Sequence, residues 1–157
     1  MTANDTIITK FYTAFANANV AQMCECYHPK VQFSDPVFGL LKGGEVCNMW
    51  KMLLDRSKGD LIINFSEVKS DEYVGSVRWI ATYHFSKTNR KVINKIHGQF
   101  QFKDGLIIKH TDDFDLWKWS IQALGFKGFL LGWTRFLQEK IQKNASKSLK
   151  TFSNPEA

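Results

Sequence analysis

The chain has 157 residues, the length of one ordinary domain, and its 44% apolar content is enough for a real core. No stretch approaches the roughly 18 apolar residues needed to span a bilayer, and Met1 to Lys10 carries no apolar run of the kind found in a secretion signal. The net charge of +6 is uneven: residues 1–117 hold 14 Lys+Arg and 13 Asp+Glu, whereas residues 118–157 hold 7 and 2. A basic tail on a neutral body argues against a nucleic-acid module, which carries its basic face within the fold.

Along the chain, Asn4-Asp5 can cap a first helix, followed by Ile7, Ile8, Phe11, Ala14 and Phe15 at helical spacing. A second short helix carries Val20, Met23, Cys24 and Tyr27 and stops at His28-Pro29, because a residue before proline avoids helical dihedrals. Val31 to Ser34 reads as a short strand ended by Asp35-Pro36. Gly43-Gly44 precedes a third helix with Val46, Met49, Trp50, Leu53 and Leu54 on its apolar side. From Leu61 the period becomes two, and strands are predicted at about 61–69, 73–86, 91–102 and 106–116. Strands this long in a small domain bend. The three cysteines, Cys24, Cys26 and Cys47, are odd in number and lack Cys-x-x-Cys spacing. They predict neither a disulfide framework nor a metal site, and a cytoplasmic setting.

Strand register places the side chains. A one-residue slip inverts every side chain, so the hydrophobic pattern selects the pairing. A two-residue Asp104-Gly105 loop would mix apolar and charged residues on both faces. A three-residue loop pairs Phe102 with Leu106, and a four-residue turn from Lys87 pairs Phe85 with Val92. The inner face then holds three rows: Trp79–Gly98–His110, Ala81–Ile96–Asp112 and Tyr83–Asn94–Phe114. Small Ala81 and Gly98 beside polar His110 and Asp112 predict a cavity, or else a helix packed closely there. The outer face carries Arg78, His84, Lys95, His97 and Asp113, with Lys95 opposite Asp113.

The order helix, helix, strand, Asp-Pro, helix, long meander resembles the nuclear transport factor 2-like superfamily, including its SnoaL-like and ketosteroid isomerase-like branches. The likeness rests on Phe11-Tyr12-x-Ala14-Phe15, on Tyr27-His-Pro-x-Val31-x-Phe33-x-Asp35-Pro36-Val37, on Trp79-x-Ala81-x-Tyr83-x-Phe85 and on His110-Thr-Asp112-Asp113-Phe114. It implies an α+β, cone-shaped fold, with amino-terminal helices packed on a curved antiparallel sheet around an apolar pocket, commonly as a homodimer. Asp35 matches the proton-transfer base of ketosteroid isomerases, but the two oxyanion donors of those enzymes fall on Phe11 and Gly98. Asp112 matches a last-strand aspartate used in acid–base catalysis by SnoaL-like cyclases, the position also reached from register.

Asp112, Asp35 and His110 are the candidate catalytic residues. Desolvation among Ala81, Ile96 and Phe114 would suit Asp112 to proton transfer near neutral pH. His110, about 7 Å along the strand, can share a water or substrate with it, or be a structural histidine bonded to Tyr83 or Asn94. Asp35 either aims at the pocket mouth or closes an Asx turn. Tyr12, Phe38, Trp50, Trp79, Tyr83, Asn94 and Phe114 are the expected pocket walls. No metal-ligand spacing, phosphate loop or nucleophile motif occurs, so chemistry without a cofactor or metal is expected, on an apolar small molecule. The alternative is a non-catalytic binding or dimerisation domain. The single domain is expected to span 1–143, with 117–143 as an apolar lid or dimer contact in preference to a membrane contact, and 144–157 as a frayed polar tail.

Overall fold

The computed structural model describes residues 1–155. Helix α1 (Ala3–Ala16) starts earlier than expected, because Thr2 and not Asn4 is its cap. The Thr2 hydroxyl accepts from the Asp5 N–H at 2.9 Å while the Asp5 carboxylate accepts from the Thr2 N–H at 2.8 Å. Helix α2 (Val20–Glu25) ends well before Pro29, and strand β1 (Tyr27–Asp35) begins at once. Proline is tolerated in β1 because pairing with the neighbouring strand is interrupted between Tyr27 and Gln32. Strand β2 (Gly39–Lys42), absent from the sequence reading, folds back on β1 with Asp35 opposite Gly39. Helix α3 (Gly44–Ser57) follows, then β3 (Ile62–Ser70), β4 (Val74–Phe85), β5 (Arg90–Lys103) and β6 (Leu106–Asp113).

The six strands form one sheet in the order β2-β1-β6-β5-β4-β3. It is antiparallel, as expected, with one parallel junction at β1–β6. The helices lie over its inner face. The main core joins Ile8, Phe11 and Phe15 of α1, Met49 and Trp50 of α3, and Val77, Trp79, Ile96 and Phe100 of the sheet. Cys24 and Cys47 are paired as a disulfide between α2 and α3 with Cα atoms 5.9 Å apart, against the expectation of no disulfide framework; Cys26 is free and buried. Two helices on different parts of the chain made this pair, which spacing along the sequence does not show.

The register differs from expectation by two residues, and the parity survives. The turn at 104–105 is the two-residue loop that the pattern seemed to forbid, with Asp104 and Gly105 both at positive φ (53° and 73°), as a type I′ hairpin requires. Lys103 therefore faces Leu106. A bulge at Ile108 on β6, opposite the Gln101–Phe102 step of β5, then restores the apolar residues to one face, pairing Phe102 with Ile107 but Gln101 with Lys109. Across β4–β5, Phe85 faces Arg90 rather than Val92. The inner rows are thus Val77–Gly98–Asp112 and Gly75–Phe100–His110, with Trp79 opposite Ile96 and Ala81 opposite Asn94. On the outer face His97, not Lys95, lies opposite Asp113.

After β6, α4 (Leu116–Leu124), α5 (Phe126–Leu131) and α6 (Arg135–Ser153) complete the chain. Asp115 caps α4, its side chain accepting from the Lys118 N–H at 3.0 Å. Residues 144–153 are not a frayed tail: α6 continues through them, Leu149 is buried, and Ala145 and Phe152 pack on the main core. The apolar positions 137, 141, 145, 149 and 152 follow helical spacing, but they are diluted by lysines whose stems extend away to solvent.

Candidate functional site

Between sheet and helices lies a cavity of about 400 Å³, within the range of small-molecule sites. Its walls include Phe38, Trp50, Trp79, Ala81, Tyr83, Asn94, Ile96 and Phe114, with Asp35 and Asp112 as the two carboxylates. Leu137, Ile141 and Ala145 of α6 line one side of it. Arg56, His84, Lys87, Lys127 and Lys140 are exposed and line the same opening.

Asp112 is buried on β6. Its Oδ1 accepts from the Trp79 indole N–H at 3.2 Å and lies 3.0 Å from His110 Nε2; neither bond uses Oδ2. His110, fully buried, contacts Asp112 directly and not through a water or substrate. Its Nδ1 is 2.7 Å from the hydroxyl of Tyr27, which accepts from the Trp50 indole N–H at 2.9 Å. An indole N–H only donates and a carboxylate only accepts. The chain of bonds therefore has one fully satisfied arrangement with an ionised Asp112: Trp50 N–H to Tyr27, Tyr27 O–H to His110 Nδ1, and His110 Nε2–H to Asp112. Phe11, Phe33 and Phe100 surround the imidazole with ring centroids 5.6, 5.1 and 4.6 Å away, and Trp50 stacks on it at 6.1 Å. Tyr27 completes this relay, and sequence reasoning assigned it no role. The strand that carries it was expected to start four residues later, so its direction was not legible.

Three expected positions change. Tyr12 does not line the cavity; it is sealed behind Trp79, among Phe15, Phe65 and Phe100, and its hydroxyl is a buried group without a hydrogen-bond partner among the described residues. His110 likewise lies behind the wall and reaches the cavity only through Asp112. Gly98 does not open space for a ligand. A Cβ there would come within 2.9 Å of Val77 Cγ1, 3.1 Å of the Tyr12 hydroxyl and 3.2 Å of Asp112 Oδ1, so the absent side chain makes room for those groups. Ala81 does line the cavity.

Asp35 both closes an Asx turn and faces the cavity. Its Oδ1 accepts from the N–H groups of Val37 at 2.9 Å and Phe38 at 2.6 Å. Burial pushes its carboxyl up to about 7; the Phe38 N–H opposes this, and the Asp112 charge adds to it. Burial raises the Tyr83 phenol, against the Trp119 indole N–H that its oxygen accepts at 2.8 Å. Tyr83 therefore keeps its own proton at neutral pH and can offer it to a ligand. Tyr12 and Tyr27 are raised well above the usual range, mainly by burial. Among the described residues, no three His, Cys, Asp or Glu side chains gather to hold a metal ion.

Helices over a curved sheet define the class of fold, and comparison with known proteins agrees. Residues 8–110 match the SnoaL-like domain, and the chain belongs to that family. It is similar in fold to TerC co-crystallised with polyporic acid (15% identity, TM-score 0.63, covering 73% of this chain and 92% of that one). A putative polyketide cyclase from Xanthomonas campestris pv. campestris shares 14% identity at a TM-score of 0.60, covering 74% and 93%. AclR, a putative hydroxylase from Streptomyces galilaeus, shares 14% at 0.62, covering 80% and 95%. Other solved structures with the ketosteroid isomerase-like fold also match. No curated protein matches the chain.

Proposed function

We propose that this chain is a cofactor-free acid–base enzyme acting on an apolar, ring-bearing small molecule, of the isomerase or cyclase type. The observation that carries the reading is the pair of unlike carboxylates in one apolar cavity: Asp112, clamped through Oδ1 with Oδ2 left over, and Asp35, raised to about 7. Two carboxyl groups held in different environments divide the roles of base and acid. In this reading Asp112 Oδ2 takes a proton from carbon next to a carbonyl, and the electron pair moves onto the carbonyl oxygen. Tyr83 and Asn94, both on the cavity wall, are the side chains placed to donate to that oxygen, in place of the two missing donors. Protonated Asp35 gives a proton to another carbon of the same molecule as the electron pair returns from the oxygen, and exchange with solvent then removes the proton from Asp112 and restores the one on Asp35. His110, Trp79, Tyr27 and Trp50 are positioning residues that hold Asp112. The basic opening suits a ligand whose polar end lies outward, and the TerC complex with polyporic acid lends support for an aromatic occupant.

The test is carbon-bound hydrogen exchange in D2O, followed by NMR across a panel of cyclic and aromatic ketones. Exchange that falls by roughly 10²-fold or more in Asp112→Asn is expected, with Asp35→Asn removing the limb of the pH profile near 7. A ligand that binds with no exchange at any pH would make the chain a binding domain and end the catalytic reading.

A further inference from the structure

The carboxy-terminal helices carry an apolar surface that the cavity does not use. Phe126, Phe129, Leu130, Trp133 and Phe136 lie within eleven residues and are between 48% and 74% exposed. They are not waiting for a partner within the fold. Helices α4 and α5 form a hairpin at Gly125 (φ 65°) whose backbones touch: a Cβ on Gly128 would overlap the Ser120 carbonyl, and one on Gly132 would come within 2.8 Å of Ser120 Cβ. The Trp117 indole N–H donates to the Phe129 carbonyl at 3.2 Å and its ring stacks on that of Phe129. Beneath, Leu116, Trp119 and Ala123 are buried in a second small core with Val92 of β5. The hairpin is thus closed on its inner side by glycine contacts and a packed core, and its large rings stay outside.

The charge of this surface is one-sided. From Leu116 to Gln138 there is no acidic residue, while Lys118, Lys127 and Arg135 are basic and exposed. Further along α6, Lys140, Lys143, Lys147 and Lys150 are exposed too, with Glu139 engaged to Arg135 at 3.0 Å. Among the described residues, no helix is long and apolar enough to cross a membrane. Lys127 also lines the cavity opening, so the opening and the aromatic surface adjoin.

We propose that this aromatic and basic surface docks the protein onto an anionic lipid bilayer, with Phe126, Phe129, Leu130, Trp133 and Phe136 entering the headgroup boundary. Rings and leucines on a projecting turn, set among cations with no acidic residue between them, complement a surface that is negative outside and apolar beneath. Pairing of two such surfaces would instead bring like charges together. The docked orientation sets the cavity opening beside the bilayer, where an apolar ligand partitions. The docking does not depend on the acid–base reading.

The experiment is flotation of the full-length chain with vesicles of phosphatidylcholine alone or mixed with phosphatidylglycerol, with tryptophan fluorescence as second readout. Binding to the anionic vesicles only, weakened by added salt and accompanied by a blue shift, is expected. Phe126→Ser/Phe136→Ser and Lys127→Gln/Arg135→Gln should each weaken it by roughly tenfold or more, with unchanged far-ultraviolet circular dichroism, since all four side chains are exposed. Absence of binding to anionic vesicles, or binding that both double variants retain, overturns the proposal. A dimer in sedimentation that Phe126→Ser/Phe136→Ser dissociates would also overturn it, because a second copy would then be the occupant.

Discussion

Tyr27→Phe removes one oxygen that serves two buried groups. The Trp50 indole N–H, at 2.9 Å, loses its acceptor, and His110 Nδ1, at 2.7 Å, loses its donor. A buried polar group stranded in this way costs about 1–3 kcal/mol, so the variant, with two such groups, should lose about 2–6 kcal/mol. Burying a phenyl ring in place of a phenol offsets little, since the ring itself is already buried. At about 2–4 °C per kcal/mol for a chain of this size, the melting temperature should fall by roughly 4–24 °C. Urea unfolding followed by tryptophan fluorescence checks it: the midpoint should drop with the slope unchanged. Adding Trp50→Phe removes one of the stranded groups, so the double variant should cost less than the sum of the two single ones. A loss below about 0.5 kcal/mol, or simple additivity, would refute the relay as drawn.

Asp35→Asn keeps an oxygen for the Val37 and Phe38 N–H groups but removes the ionisation. The folded carboxyl, raised from 3.8 to about 7, holds a proton that the unfolded chain has already lost. The contribution of Asp35 to stability is therefore fully present below pH 4 and is lost as pH rises towards 7; the span corresponds to about 4 kcal/mol at most, and nearer 2 given its partial solvent access. The variant should lack this fall in parallel denaturation series, and an unchanged pH dependence would count against the shift. Gly98→Ala should cost about 1–3 kcal/mol, because the methyl must displace Val77, the Tyr12 hydroxyl or the Asp112 carboxylate; a neutral result by calorimetry would mean that the wall can yield there. Leu149→Ala should cost about 2–3 kcal/mol, whereas a frayed tail would give no change in melting temperature. Reduction of the Cys24–Cys47 bond, which spans 23 residues, should cost about 3 kcal/mol, seen as a lower melting temperature with dithiothreitol.

The sequence alone determined which residues share a face. Period-two alternation from Leu61 onward set Trp79, Ala81, Asn94, Ile96, His110 and Asp112 on the inner side, and each is turned inward in the structure. Parity survived because burial of one face penalises any odd slip along its whole length. An even slip leaves every side chain on its proper face, so the pattern cannot oppose it, and only the Asp104-Gly105 turn with its bulge decided that Asp112 lies across from Gly98. The same limit applies to contacts between elements. Nothing in the spacing of residues 27, 50, 79, 110 and 112 shows that Tyr27 and Trp50 meet His110, or that His110 meets Asp112. Those contacts exist because β1 runs parallel beside β6 and α3 lies across both. Local periodicity thus placed a carboxylate at the pocket wall, and tertiary packing supplied the four side chains that hold it there.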